Sequence, residues 1–220
     1  AELFNPLECA TALAVHLFYT GRFNGNTSAY YDVRNSFLNE VIARGKGIPI
    51  TLSVVFIEVA RRLGVKLFGV GMPGHFLVKY SDEVQEVFFD PFNGGRVLTA
   101  AECRTMIETM YEGRVKFDPS FLNMVAKKQI LQRMLQNLKN IYAQAADLPK
   151  LLDAIERLLL FDPNAVIELR DRGLAYYQLK KYTPARADLE AYLRRVPHAE
   201  DKEKIQVVLN DLRQRQAQLN

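Results

Sequence analysis

Two cysteines, three histidines and no tryptophan occur in the 220 residues. Cys9 and Cys103 sit in apolar helical surroundings without metal-ligand spacing. This argues against a disulfide framework and for buried, reduced thiols. His16, His75 and His198 show no ligand spacing either, and no Cys accompanies them, so neither a metal centre nor a cofactor is expected. No apolar run approaches the ~20 residues that span a bilayer. Cys9 to Tyr19 comes nearest to a signal-peptide core, but Glu2 and Glu8 precede it in place of basic residues, and His16 interrupts it. The reading is a cytoplasmic protein without membrane association. The start at Ala1 in place of Met reads as the edge of an excised piece.

A large excess of one charge is missing too. The net charge is +4, and 49% hydrophobic with 25% charged residues suits a globular chain that buries a core. Residues 1–117 carry twelve Lys/Arg and twelve Asp/Glu, and residues 118–220 carry the remaining seventeen and thirteen, so the excess lies in the second half. Pairs such as Lys127-Lys128, Lys180-Lys181 and Arg194-Arg195 are interspersed with acids, without the aromatic and basic interleaving that binds single strands. The basic residues read as a solvated helical surface, not a nucleic-acid footprint.

The second half repeats itself. Leu135, Tyr142, Leu148, Leu151, Ile155, Leu158 and Pro163 recur as Leu169, Tyr176, Tyr182, Ala185, Leu189, Tyr192 and Pro197, matching the ~34-residue period of tetratricopeptide repeats. The later copy has the small residues Gly173 and Ala185 where antiparallel helices approach; the earlier copy has Lys139 and Leu151 and is degenerate. Glu200 to Gln218 keeps a helical pattern through Ile205, Val208, Leu209 and Leu212, as a polar cap would. So few repeats serve either as a buttress to the first half or as a docking surface for a protein or peptide. Tyr176, Tyr177, Tyr182 and Tyr192 fall largely at packing positions.

The first half centres on GIPITLSVVFIEVARRLGV, PGHFLVKY and EVFFDPF, a helix leading into a two-stranded hairpin. The helix from Pro49 to Leu63 is apolar nearly all round, so it is central and buried. Pro49 suits its first turn, where a missing N–H costs nothing. A four-residue loop over residues 81–84 sets His75 opposite Asp90 across the hairpin. An imidazole and a carboxylate so placed form two members of a hydrolase-like triad. The third has no cysteine to fill it, since the helix begins Gly47-Ile48-Pro49-Ile50-Thr51.

The run NSFLNEVIARGKGIPITLSVVFIEVARRLGV, with PGHF and DPFNGG, resembles the transglutaminase-like core of bacterial SirB-type proteins, in which tetratricopeptide repeats follow the core. The resemblance covers nearly the whole chain. It implies a Gly-x-Cys at the helix start in active members of the wider superfamily, a His on the next strand and an Asp on the strand after it. His75 and Asp90 match the second and third; the cysteine position falls on Pro49, which is no nucleophile. The resemblance further implies a papain-type fold and a regulatory association.

Thr51 and Ser53 are the only hydroxyls of the helix. Either is offered as a substitute nucleophile, although Ser and Thr inside helices more often bond back to a carbonyl. Upstream, Leu3 to Tyr19 reads as an amphipathic helix, and Asn24-Gly25 and Asn26 as turn formers. Asp32 or Asn35 is placed to cap the helix carrying Phe37, Leu38, Val41 and Ile42. In the resembled family this segment walls the site, so Tyr30, Tyr31, Asp32, Arg34 and Asn35, with Pro49, are cleft-lining candidates.

The expected architecture is therefore α+β in residues 1–117, a transglutaminase-like, papain-type core with a central buried helix and a small antiparallel sheet. An all-α tetratricopeptide-like region follows in 118–220. The expected function is a non-catalytic protein-binding or regulatory module. The rival is an acyl-transfer enzyme or peptidase in which Thr51 or Ser53 attacks, His75 is the base and Asp90 orients it.

Overall fold

The computed structural model describes residues 5–218, and the chain divides into two compact units, residues 1–134 and 135–220. Leu3, assigned to the first helix by its sequence, lies outside the described residues.

The first unit is α+β. Its N-terminal helix α1 (Pro6–Ala14) starts where Asn5 accepts from the N–H groups of Leu7 and Glu8, with Pro6 in the first turn. A wider π turn, Val15–Tyr19, continues it. After α2 (Leu38–Arg44) comes the central helix α3 (Pro49–Arg62). Strands β3 (Phe68–Val70), β4 (Leu77–Ser81), β5 (Glu86–Asp90) and β6 (Arg96–Leu98) follow, then α4 (Ala100–Met110) and β7 (Met124–Val125). They form one antiparallel sheet in the order β6-β5-β4-β3-β7. Because β7 adds to the β3 edge, the first unit runs past residue 117, beyond the boundary read from the sequence.

The strands are buried on both faces. Val78, Tyr80 and Phe89 pack with Leu52, Val55 and Phe56 of α3 and with α1, while Leu77, Phe88 and Leu98 pack with Cys103 and Ile107 of α4. The alternation of side chains across the pleat makes this division. The α3 helix is apolar nearly all round because it also meets a third cluster, where Ile48 and Ile50 touch Phe76.

Two local expectations are corrected. Asn24–Gly25 is a short strand, β1, parallel to β2 (Lys46–Gly47), and not a turn, because the Asn24 and Asn26 N–H groups bond the Gly45 and Gly47 carbonyls. Asp32 caps the short 3-10 turn Val33–Ser36, and Phe37 occupies the cap of α2, so neither Asp32 nor Asn35 caps that helix.

The second unit consists of helices. It takes the later turns of α5 (Lys127–Gln144), followed by α6 (Leu148–Phe161), α7 (Val166–Gln178), α8 (Tyr182–Arg195) and α9 (Lys202–Gln218). Ala185, Leu189 and Tyr192 of α8 form one cluster with Ile205, Leu209 and Leu212 of α9. Gly173 is required by proximity: a Cβ there would lie 2.8 Å from the Leu189 side chain. Gly173→Leu should therefore destabilise this unit by about 2–4 kcal/mol, read as a lower urea midpoint; an unchanged midpoint would show that α7 and α8 can separate freely.

Candidate functional site at the start of strand β4

The site is built on the turn before β4. Met72-Pro73-Gly74-His75 closes with the His75 N–H on the Met72 carbonyl, and Gly74 has φ +68°. Pro second and a left-handed Gly third make a type II turn. Gly74 is also packed tightly, since a Cβ there would sit 2.9 Å from Tyr111 Oη.

His75 reaches Asp90, but not by the predicted register. Val78 pairs with Phe89 and Ser81 with Glu86, so the loop covers residues 82–85 and the pairing is shifted by two residues. The shift arises because Asp82 closes that loop itself, its Oδ1 accepting from the Val84 and Gln85 N–H groups at 2.9 and 2.8 Å. A slip of two preserves the face each side chain occupies, whereas a slip of one inverts it. His75 thus becomes a diagonal neighbour of Asp90 on the same face, and His75 Nε2 lies 3.0 Å from Asp90 Oδ1. The approach is close but not along a ring N–H direction, so Nε2 has no well-directed hydrogen-bond partner.

The Asp90 carboxylate is 0% exposed and heavily used. Oδ1 accepts from the N–H groups of Phe92 and Asn93, both at 3.2 Å, and Oδ2 from Asn93 Nδ2 at 2.7 Å. It thereby caps the 3-10 turn Pro91–Asn93. Burial pushes its pKa up, but His75 and the Asn93 hydrogen bonds outweigh that and hold the carboxyl below its usual range.

Neither hydroxyl of α3 is directed to the imidazole by its hydrogen bonds. Thr51 is 0% exposed; its Oγ1 donates to the Asn35 carbonyl at 2.8 Å and accepts from the Ile48 N–H at 3.1 Å. Thr51 is the third residue of α3, where a side chain that reaches back completes the N-terminus. Ser53 Oγ faces the Phe76 carbonyl at 3.5 Å and is also 0% exposed. Pro49 is the buried first residue of the helix. Thr51→Val should cost about 1–3 kcal/mol by leaving the Asn35 carbonyl and Ile48 N–H unpaired in the interior. Chemical denaturation followed by circular dichroism measures it, and equal midpoints would show that Thr51 has no structural duty.

The segment before α2 is held by its own side-chain hydrogen bonds. Asn35 is fully buried: Nδ2 donates to the carbonyls of Ala29 and Tyr30, and Oδ1 accepts from Asn26 and Arg44. These bonds tie the Ala29–Tyr30 backbone to Asn26 and Arg44. Asp32 is held by Arg34, whose hydrogen bonds draw its carboxyl down to about 2. Tyr31 is 67% exposed and meets the Tyr30 ring edge-on. Tyr30 packs edge-on against Phe92 at 5.9 Å, while Phe92 in turn meets His75 at 6.2 Å.

One residue of this site is missed by sequence reasoning. Arg133, on the first-unit part of α5, donates from Nη2 to the Met72 carbonyl at 3.0 Å and the His75 carbonyl at 2.8 Å. In the sequence it resembles any basic residue on a solvated helix. Among the described residues, no cluster of three or more His, Cys, Asp and Glu could hold a metal.

This arrangement can be set beside known proteins. The model of the transglutaminase-like superfamily matches residues 2–136, and a tetratricopeptide-repeat model matches residues 138–210. A UPF0162 protein of Xylella fastidiosa is 42% identical over 210 residues, which cover 94% of this chain and 74% of that protein. The chain belongs to the UPF0162 family. These are the SirB-type proteins, with a transglutaminase-like domain followed by tetratricopeptide repeats. A UPF0162 protein of Vibrio cholerae is 29% identical over 201 residues, 90% of this chain and 74% of that one. Mouse F-box only protein 21 is 30% identical over 169 residues, 72% of this chain and 26% of that protein. Among the described residues of this UPF0162 chain, no helix is long and apolar enough to cross a membrane.

Proposed function

We propose that this chain is a non-catalytic transglutaminase-like protein that binds a protein or peptide partner, with the His75 cleft and the repeat surface as contact sites. The observation that carries the reading is Pro49 in the place of a nucleophile, beside Thr51 and Ser53 hydroxyls already engaged with backbone. An attacking hydroxyl needs its base within hydrogen-bond reach, and Thr51 Oγ1 would first have to leave the Asn35 carbonyl. The repeat region supports a protein partner, because stacked helical pairs commonly offer binding surfaces. A cytoplasmic setting fits the free Cys9 and the buried free Cys103.

The test is incubation of the full chain with p-nitrophenyl acetate, followed by intact-mass measurement. No adduct should form on Thr51 or Ser53. An acyl group on either hydroxyl, absent from the His75→Ala variant, establishes the rival acyl-transfer reading in which His75 is base and Asp90 orients it. A photo-crosslinking residue at Tyr31 should in addition capture a specific partner in cells, and loss of that product in His75→Ala places the partner in the cleft.

A further inference from the structure

A cavity of about 540 Å³ lies against the start of α4, within the first unit. That size falls in the range of small-ligand sites. Lys79 of β4, Glu86 of β5, Arg104 of α4 and Asn123 supply its polar groups. Ala100, Ala101, Phe117, Pro119 and Leu122 supply its apolar walls. It shares no residue with the His75 and Asp90 pair.

Two cations line this cavity, and one carboxylate answers them. Lys79 is set into the sheet with its side chain 8% exposed; its Nζ lies 2.5 Å from Glu86 and 5.4 Å from the Phe88 ring centroid. Arg104 has neither a carboxylate nor a hydrogen-bond partner among the described residues. Its guanidinium lies 4.8 Å from the Phe117 ring centroid, and Phe117 is braced edge-on by Phe121. That contact engages the charge with the ring and leaves both parallel N–H pairs of the guanidinium without an acceptor. A surface arginine covering Phe117 would account for the stacking alone. It would not account for a buried ammonium on another wall of the same cavity.

Charge and shape together select the ligand. Lys79 and Arg104 against Glu86 leave a surplus of one positive charge, which matches a single carboxylate better than a phosphate dianion. Asp118 adjoins Pro119 but does not line the cavity, and its Oδ1 accepts from the Ser120 N–H at 2.8 Å as the cap of the turn Pro119–Leu122. A free fork of parallel N–H groups takes both oxygens of a planar carboxylate. The two alanines leave room beside Phe117 and Leu122 for an apolar body.

We infer that this cavity is a binding site for a small organic acid, a monoanion with an apolar body, whose carboxylate pairs with Arg104 while Lys79 supports its charge. The site goes beyond the protein-binding reading and does not depend on it.

The experiment titrates the full chain, labelled with nitrogen-15, with benzoate, its neutral counterpart benzamide, acetate, and phenylphosphonate as the doubly charged analogue. Benzoate should bind about tenfold more tightly than benzamide and shift the amide signals of Ala100, Ala101 and Asn123. Arg104→Gln, a change at an exposed position, should remove most of that preference. Ala101→Trp, which fills the cavity from another exposed position, should weaken benzoate and benzamide alike. Equal binding of benzoate and benzamide, no binding of benzoate, acetate as tight as benzoate, tighter binding of phenylphosphonate, or a preference unchanged in Arg104→Gln overturns the proposal. So does a preference lost in His75→Ala but kept in Arg104→Gln, since benzoate then sits in the cleft. The crosslink from Tyr31 reads the protein contact separately, so each reading can fail while the other stands.

Discussion

Asp90→Ala should lower stability by about 2–4 kcal/mol, a fall in melting temperature of roughly 4–16 °C for a chain of this size. The substitution removes three accepted hydrogen bonds in a position with no access to water. The Phe92 and Asn93 N–H groups and the Asn93 amide are then left without their acceptor, and His75 loses its neighbour at 3.0 Å. Asp90→Asn should cost less, because one amide oxygen still accepts at the start of the Pro91–Asn93 turn, while the new NH2 group meets Asn93 as a second donor.

The pH dependence follows from the sign of the shift. Asp90 is held below its usual value in the folded protein, so its contribution is present above the unfolded value. It is lost as pH falls through that range to the lower folded value. Thermal unfolding followed by circular dichroism from about pH 7 down to about pH 3 should show a steeper acid loss in the wild type than in Asp90→Asn. Parallel curves would mean that the carboxylate charge does not hold the turn.

Lys139→Ala should destabilise the second unit by about 2–4 kcal/mol. By the 34-residue offset Lys139 stands where the later repeat has Gly173, and a long charged side chain at a close approach reads as degeneracy. Instead its ammonium lies 3.2 Å from Glu168 and 2.6 Å from Asp171, with the lysine side chain 5% exposed. Asp171 also has Arg170, but Glu168 has Lys139 alone as its ion-pair partner among the described residues. Truncating the lysine therefore leaves a largely buried carboxylate without its cation, and that unpaired charge is the main cost.

The triple variant Lys139→Met, Glu168→Gln, Asp171→Asn should recover most of the loss, coming within about 1 kcal/mol of the wild type, since it leaves no charge of this network buried without its partner. Urea unfolding of the two variants decides between charge and volume. If the triple variant is as unstable as Lys139→Ala, the space filled by the lysine stem matters more than the charge.

Much of this protein is legible in local patterns of its sequence. The apolar circumference of Pro49 to Arg62 requires a central helix, and the 34-residue spacing requires stacked helical pairs. Pro49 marks a helix start with no nucleophile. His75 and Asp90 are joined correctly by a register that is two residues out, because the strand period of two tolerates such an error. These features depend on neighbours within a few residues, so composition and spacing contain them.

Tertiary structure decided what depends on remote partners. It paired Asn24–Gly25 with Lys46–Gly47 and turned Thr51 Oγ1 to the Asn35 carbonyl. It buried Lys139 between two acids and brought Arg133 onto a turn 58 residues earlier in the chain. None of these side chains differs in its local sequence from an ordinary turn former, helical threonine or surface cation. Their roles are fixed by which backbone carbonyls and charges the fold places beside them, and that is information the linear order of residues does not hold.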